Sequence, residues 1–330
     1  MRKRMLAGAV LMGAMSLVIS GCGSTDPGTA AGTASSGGGK SDLIKVGFAQ
    51  TGSESGWRSA NTESMKAAFS KENGFDLTFN AADNEPAAQI AAVRSFINQK
   101  VDAIVMAPIV EDGWDDVLKE AQVAKIPVIL EDRTVSASDD LYASWVGLDF
   151  EQEGKTAGEW AVENADGSNL VILEGTTGSS AALDRATGWG AATEGSGINV
   201  LDSQSGDFTR DGGKKVMEGF LQKYGADGID LVFAHNDDMA LGAIEAIEAA
   251  GAKPGEDIKI VSIDAVKDGM QALIDGKINY IVECNPLLGD LAAGLVKDVL
   301  AGKTVEKAIY VEDDSFTQEQ AAAVIDSRKY

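Results

Sequence analysis

Polar side chains gather at a few points where apolar runs stop. The first is Phe48-Ala49-Gln50-Thr51-Gly52-Ser53-Glu54-Ser55-Gly56-Trp57-Arg58, which follows the alternating run Leu43 to Phe48. Between Glu54 and Arg58 it offers a carboxylate, a hydroxyl (Ser55), a small residue that lets a ligand approach the backbone (Gly56), a flat indole (Trp57) and a guanidinium. Asp132-Arg133 follows Val128 to Glu131, and Asp184-Arg185 lies early in the helical pattern after Leu170–Leu173. His235-Asn236-Asp237-Asp238 follows Leu231–Ala234, and Asp264 follows Ile258–Ile263. A carboxylate accepts from two neighbouring hydroxyls, a guanidinium donates a planar fork, and an amide does both. Trp57 can set a ring face against C–H groups. Together these parts suit a polyhydroxylated ring. Each cluster alone also reads as a helix cap or a surface ion pair. Their common place at the carboxyl ends of apolar runs is what capping does not account for, because ligands of open α/β sheets bind there.

The elements that would position them alternate steadily. Short apolar runs at Ile44–Phe48, Leu77–Asn80, Ala103–Ala107, Val128–Leu130 and Trp145–Leu148 predict buried parallel strands. Between them, 86–100 opens with proline and carries Ile90, Val93, Phe96 and Ile97 at helical spacing, and 114–124 is a shorter helix. The alternation then starts again, with strands near 170–173, 198–202, 231–234, 258–263, 280–282 and 309–311. Helices are predicted over 151–163, 183–194, 211–224, 239–250, 266–274, 287–300 and 318–325, Gly251 stopping the fourth of these. About ten strands with short connections predict an α/β protein of two doubly wound parallel-sheet domains with a cleft between them. No short-period repeat suggests a solenoid.

The 330 residues suffice for two ordinary cores. The start of the chain carries Arg2, Lys3 and Arg4, then a mostly apolar run from Met5 to Ile19, the order of a secretory signal over 1–21. Ile19-Ser20-Gly21-Cys22 resembles a bacterial lipobox, so Cys22 is the expected lipidated residue. The Gly/Ser/Thr/Ala tract that follows, to residue 42, reads as a flexible tether. Removing the three leader bases from 28 leaves 25 basic residues against 51 acidic ones, or −26, which disfavours nucleic acid. Cys22 and Cys284 are the only cysteines, so a disulfide framework and a cysteine-rich metal site are both excluded.

Catalytic signatures are missing. No nucleophile elbow, P-loop or HExxH occurs, and His235 is the one histidine, which rules out a Ser-His triad built elsewhere. A glycosidase would need paired carboxylates, for which Asp132 and Asp264 are the conceivable pair. The expectation is a binding protein, not an enzyme, with no cofactor and no metal. Asn164 to Asn169 hints at a calcium loop but lacks the later bidentate Glu and reads as a glycine-centred turn. Trp114, Trp145, Trp160 and Trp189 read as packing residues.

The strings VGFAQTGSESGWR (46–58), AVRSFINQKVDAIVMAPIVEDGW (92–114), LEDR (130–133), SQSGDFTRDGGKKVMEGF (203–220), AHNDDMALGAIEAI (234–247) and SIDA (262–265) carry a family resemblance. The chain resembles the type I periplasmic sugar-binding proteins, the ribose/galactose group of ABC-transporter solute receptors, and within it the galactofuranose binders. The resemblance implies a first ligand loop from Glu54 to Arg58, an Asp132-Arg133 clamp, Arg185, Asn236 and Asp264 from the second domain, Phe208 closing on the ring, and a helping role for Glu283. It also implies three passages between domains, near Leu148, Asn285 and Lys307. The domains would then be 43–148 plus 286–307 and 149–285 plus 308–330. The implied function is capture of a monosaccharide, galactofuranose-like or another aldose, by hinge closure, with delivery to an ABC-transporter permease by a lipid-anchored, extracytoplasmic monomer. A sensor that delivers the sugar signal to a membrane signalling partner would share every one of these features. A DNA-binding repressor of the same fold would need a basic helix-turn-helix, and an export signal stands in its place.

Overall fold

Strand β1 (Ile44–Gln50) buries side chains on both faces, as a central parallel strand must. It pairs with β2 (Phe75–Ala81) on one side and β3 (Ala103–Met106) on the other. The computed structural model describes residues 43–330; the expected leader, Cys22 and the tether lie outside them. The described residues form one compact unit. With β4 (Val128–Asp132), β5 (Ser144–Gly147) and β11 (Ala308–Tyr310), the first sheet runs β11-β5-β4-β3-β1-β2. The second sheet is built from β6 (Asn169–Glu174), β7 (Asn199–Ser205), β8 (Leu231–Ala234), β9 (Lys259–Asp264), β10 (Tyr280–Glu283) and β12 (Ser315–Phe316), ordered β12-β10-β9-β8-β6-β7. The two windings are the same. In each, strand order reverses beside the first strand, which opens a crevice at the carboxyl ends of β1/β3 and of β6/β8.

Helices cover the sheets. Among the described residues these are α1 (Gly56–Ala68), α2 (Pro86–Gln99), α3 (Asp115–Val123), α4 (Phe150–Ala165), α5 (Ser180–Thr193), α6 (Arg210–Tyr224), α7 (Asp237–Ala249), α8 (Lys267–Ile274), α9 (Gly289–Leu300) and α10 (Gln318–Val324). Period-two alternation divides the first domain's core. Val46 and Phe48 pack with Met65 of α1 and Leu295 and Val296 of α9, while Ala49 packs with Val93 and Phe96 of α2. The second domain has one continuous core around Val171, Phe233, Val261 and Ile281. No described helix is long and apolar enough to cross a membrane.

The chain passes from the first sheet to the second between β5 and α4, since α4 packs on β9 and β10. It returns between β10 and α9, since α9 packs on α1 and β4. The third passage differs from the expected position at Lys307. β11 pairs in parallel with β5, Ile309 opposite Val146, and Tyr310 meets Trp145 edge-on at 5.0 Å, so residues 308–310 stay with the first sheet. Without them β5 would be an open edge. The crossing therefore falls at 311–314. The unforeseen β12 then closes the other sheet as an antiparallel edge strand, Ile281 opposite Phe316.

Candidate functional site

Ten side chains foreseen from the sequence line one pocket between the domains: Glu54, Ser55, Trp57, Arg58, Asp132, Arg133, Arg185, Phe208, Asn236 and Asp264. Phe150, Ala181 and Cys284 complete it. Each lining residue sits at a strand end, in the loop that follows one, or in the first turns of a helix. Ser55 caps α1, its Oγ accepting the Arg58 N–H at 3.0 Å, so the turn that presents Trp57 and Arg58 is locally fixed. Trp57 donates its indole N–H to the Cys284 carbonyl at 2.6 Å, on the second passage between domains. Arg58 donates to Asp132 Oδ2 at 2.6 Å and, through Nε, to Glu54 Oε1 at 3.1 Å. Arg133 donates to the Ile109 carbonyl at 3.2 Å and lies 5.1 Å over the Phe208 ring. Arg185 donates to Glu153 Oε2 at 2.7 Å and to the His235 carbonyl, with its Nη2 3.7 Å from Asp264 Oδ1.

The backbone is strained here. Asp132 (φ 60°), Phe208 (φ 61°) and Asp264 (φ 126°) all take positive φ without being glycine. Such residues cost roughly 1–3 kcal/mol each and persist where the surroundings over-determine them. Trp145 donates to the Asp132 carbonyl at 3.1 Å, and Asn236 donates to that of Phe208 at 3.1 Å. Asp237 accepts from Ser262 at 2.6 Å and from the Val266 N–H at 2.9 Å, spanning the loop that carries Asp264.

Three arginines and three carboxylates line the pocket, so its formal charges balance. Burial would raise Glu54, but Arg58 and Arg133 outweigh it and hold the carboxyl below its usual range. Burial, then Arg58, lowers Arg133 to about 10. Burial drives Asp264 well above the ordinary carboxyl value against the pull of Arg185. Arg58 Nη1, Arg133 Nε and Asp264 Oδ2 are buried without a hydrogen-bond partner among the described residues. Two donors and one acceptor thus remain on pocket-lining side chains after the protein's own bonds are made. Leaving such a group unmatched costs about 1–3 kcal/mol or more, which a hydroxylated ligand would recover.

Two foreseen residues stand elsewhere. Gly56 does not line the pocket; its N–H points across to Asp238. Glu283 is a correction. Its carboxylate accepts from Arg328 at 2.7 Å, from the Tyr330 hydroxyl at 2.5 Å and from the Asp314 N–H at 3.0 Å, so it pins the C-terminal tail rather than a ligand. Asn236 lines the pocket, yet its Oδ1 is already the cap of α7. Phe150 escaped the sequence reading because it is one apolar residue beside a domain passage. The signal was its place directly after the helix cap Asp149, at the start of α4. Arg185 lies 5.2 Å over its ring. His235 is buried behind the pocket. Burial, then Arg185, lowers it to about 3, so it is neutral, its Nδ1 facing the Gly175 N–H. Among the described residues no cluster of His, Cys, Asp or Glu is arranged to hold a metal ion.

A pH dependence follows from the layer behind the pocket. Glu131 is fully buried and accepts from Asn61 at 3.2 Å. Burial, then the Asp132 carboxylate, pushes it up to about 8. An unfolded Glu titrates near ~4.3, so between these values the folded form binds the extra proton and stability falls as pH rises. His235 slopes the opposite way, but only below about 6.5, its unfolded value. From about pH 6.5 to 8 that opposing slope is gone, and Glu131→Gln should make the fall shallower by up to one proton's share, the raised Asp237 and Asp264 keeping theirs. Asp313, pushed up to about 9 by burial and then Glu153, falls the same way over this window, so the variant keeps that part of the slope. Denaturation midpoints across that window check this; an unchanged slope in the variant would rule Glu131 out.

Two equally wound α/β domains whose strand ends meet at one charged, aromatic-walled pocket are the architecture of a periplasmic binding protein. The profile of the periplasmic binding protein domain matches residues 46–304, and the chain belongs to that family. It is 40% identical over 328 residues to the fructose import binding protein FruE of Bifidobacterium longum, covering 97% of this chain and 96% of that one. It is 43% identical over 292 residues to the galactofuranose-binding protein YtfQ of Escherichia coli, covering 87% and 92%. A Mycobacterium smegmatis crystal structure in complex with β-D-fucofuranose superposes with a TM-score of 0.84 at 52% identity, covering 87% of this chain and 96% of that one.

Proposed function

We propose that this chain is the extracytoplasmic binding component of an ABC sugar importer, and that it captures a monosaccharide in its five-membered, furanose ring form. The observation that carries this reading is the set of buried, unpartnered polar atoms on Arg58, Arg133 and Asp264 in a pocket whose charges balance. Balanced charge favours a neutral ligand, and unmatched donors and acceptors favour hydroxyls. The furanose form rests on the galactofuranose and fucofuranose in the names of two relatives. Import rather than sensing is favoured by the name of the relative that spans nearly the whole chain. The protein acts by binding, without chemistry on the sugar. One domain engages the sugar, the passages at 148–149, 284–288 and 311–314 bend, and the other domain completes the hydrogen bonds. The sugar holds the closed form only by its extra affinity for that form. The domains on this reading are 43–148 with 286–310, and 149–285 with 311–330. Cys22 carries the lipid, and the Gly/Ser-rich tract to residue 42 is the tether.

Isothermal titration of residues 41–330 tests the reading, with galactose, ribose, arabinose, glucose, fructose and a galactofuranose source. Saturable binding near micromolar, about −8 kcal/mol, is expected for one of them. Asp132→Ala should weaken it by at least about a hundredfold, since it strands Arg58 and removes a hydroxyl acceptor. Binding that survives Asp132→Ala unchanged would overturn the site. No binding to any sugar would overturn the ligand class.

A further inference from the structure

The domains touch away from the ligand pocket, and one of these contacts is a buried charge. Asp238 is the second residue of α7 and is 8% exposed. Its Oδ2 accepts the N–H of Gly56, the first residue of α1 in the other domain, at 2.7 Å. Its Oδ1 lies 3.4 Å from Nε of Arg210, which opens α6. Asp238 does not line the ligand pocket.

The contact has a definite electrostatic sense. The first N–H groups of a helix have no partner within the helix, and the helix dipole makes that end positive. In α1 the Ser55 hydroxyl takes the Arg58 N–H and leaves that of Gly56 to a carboxylate from the second domain. Glu111 N–H to the Gly178 carbonyl, 2.9 Å, and Thr134 N–H to Ser180 Oγ, 3.0 Å, also join the domains, but both are neutral pairs. Asp238 supplies the charge-assisted one, the stronger kind. Gly56 is followed directly by Trp57 and Arg58, which face the ligand pocket. Domain closure and the seating of these two side chains therefore share one hydrogen bond.

We infer that Asp238 is an interdomain latch: a positioning residue that holds the N-terminus of α1 when the domains close and so sets how long the closed form lasts. The inference deepens the proposed sugar-binding function and rests on it only for its ligand readout. Ligand meets the open form, so the latch governs dissociation rather than association.

Stopped-flow fluorescence on residues 41–330 with the bound sugar tests this. Asp238→Ala should raise the dissociation rate constant about tenfold while association changes less than about twofold. Gly56→Pro removes the donor from the other side. Proline is favoured at the first helical position and Ser55 before it is extended, so α1 remains intact. The double variant should dissociate no faster than either single one, because both changes break one bond. An unchanged dissociation rate in Asp238→Ala, equal losses in both rates, or additive effects would each overturn the latch. A ligand-free readout keeps it separate from the sugar reading. Dyes on Val123→Cys and Val200→Cys, exposed positions in the two domains, report interdomain distance while Cys284 stays buried. The short-distance population should fall about tenfold in Asp238→Ala without any sugar present. If it does not fall, the latch is wrong whatever the protein binds.

Discussion

Replacing Arg185 by methionine is expected to abolish ligand capture and to lower the thermal midpoint by about 10 °C. Arg185 is 3% exposed and joins three elements. Its Nε bonds to Glu153 of α4, its Nη1 to the His235 carbonyl just past β8, and its Nη2 faces Asp264 at the end of β9. Phe150 and Phe208 lie 5.2 and 5.9 Å from the guanidinium carbon. Methionine matches the volume and keeps the aromatic contacts, but it leaves Glu153 and Asp264 buried without their cation. Breaking a buried pair in this way costs about 3–5 kcal/mol. In binding, the loss of a fork that orders both walls of the pocket should reach at least about a hundredfold. Lysine is no substitute, since its donors all sit on one nitrogen and cannot span the three sites that the planar guanidinium fork reaches.

The stability deficit should also depend on pH. Burial has already pushed Glu153 up to about 6 against the pull of Arg185. Without that pull its carboxyl rises further, so the folded variant holds a proton to higher pH. Stability then falls through a wider window as pH rises. The deficit should be smaller near pH 5 than near pH 8. Adding Glu153→Gln to Arg185→Met should recover most of the midpoint but none of the binding. Recovery of both would show Arg185 to be a structural residue only.

Much of this site was legible because polar residues after apolar runs mark strand ends. Asp132-Arg133, Asn236 and Asp264 all stand where a buried run stops, and the fold turns each such end toward the same crevice. Glu283 sits at a strand end too, after Tyr280 to Val282, yet it pairs with Arg328 and Tyr330 from the chain's far end, and a carboxylate goes where its partner is. Partner choice across that separation leaves no local trace. Phe150 and Cys284 reach the pocket from the passages between domains, and nothing in their residue types distinguishes them from core. The positive φ values at Asp132, Phe208 and Asp264 were likewise invisible, being imposed by tertiary bonds rather than by glycine. The strand expected near 309–311 is β11, but its sheet was not legible, and β12, two residues long, is below the length at which periodicity can speak. Their assignment to opposite sheets rests on edges that needed covering.

Gly154→Ala is expected to cost about 3 kcal/mol or more, the upper range for overpacking, and to weaken ligand binding as well. A Cβ at Gly154 of α4 would sit 2.1 Å from the Arg185 carbonyl oxygen of α5. At Gly188 of α5 it would sit 1.8 Å from the Glu151 carbonyl oxygen. The two helices meet backbone to backbone, so no flexible side chain can yield and the helices must move apart. Gly190, two residues along α5, meets nothing within 4 Å. There alanine should instead stabilise by roughly 0.5–1 kcal/mol, because it only removes unfolded-state freedom. Urea midpoints should thus diverge in sign along α5, falling for Gly188→Ala and rising for Gly190→Ala, while Gly154→Ala in α4 falls. A Gly154→Ala protein with an unchanged midpoint would mean that the helices are not in this contact. Gly154 and Gly188 should differ in binding although they are alike in stability. Gly154 strikes the backbone of Arg185 itself, and a displacement near an ångström exceeds what a fork of this kind tolerates, about 0.5 Å. Gly188 presses on Glu151, which does not itself line the pocket or bond to Arg185, so its variant should lose stability and retain more of its affinity.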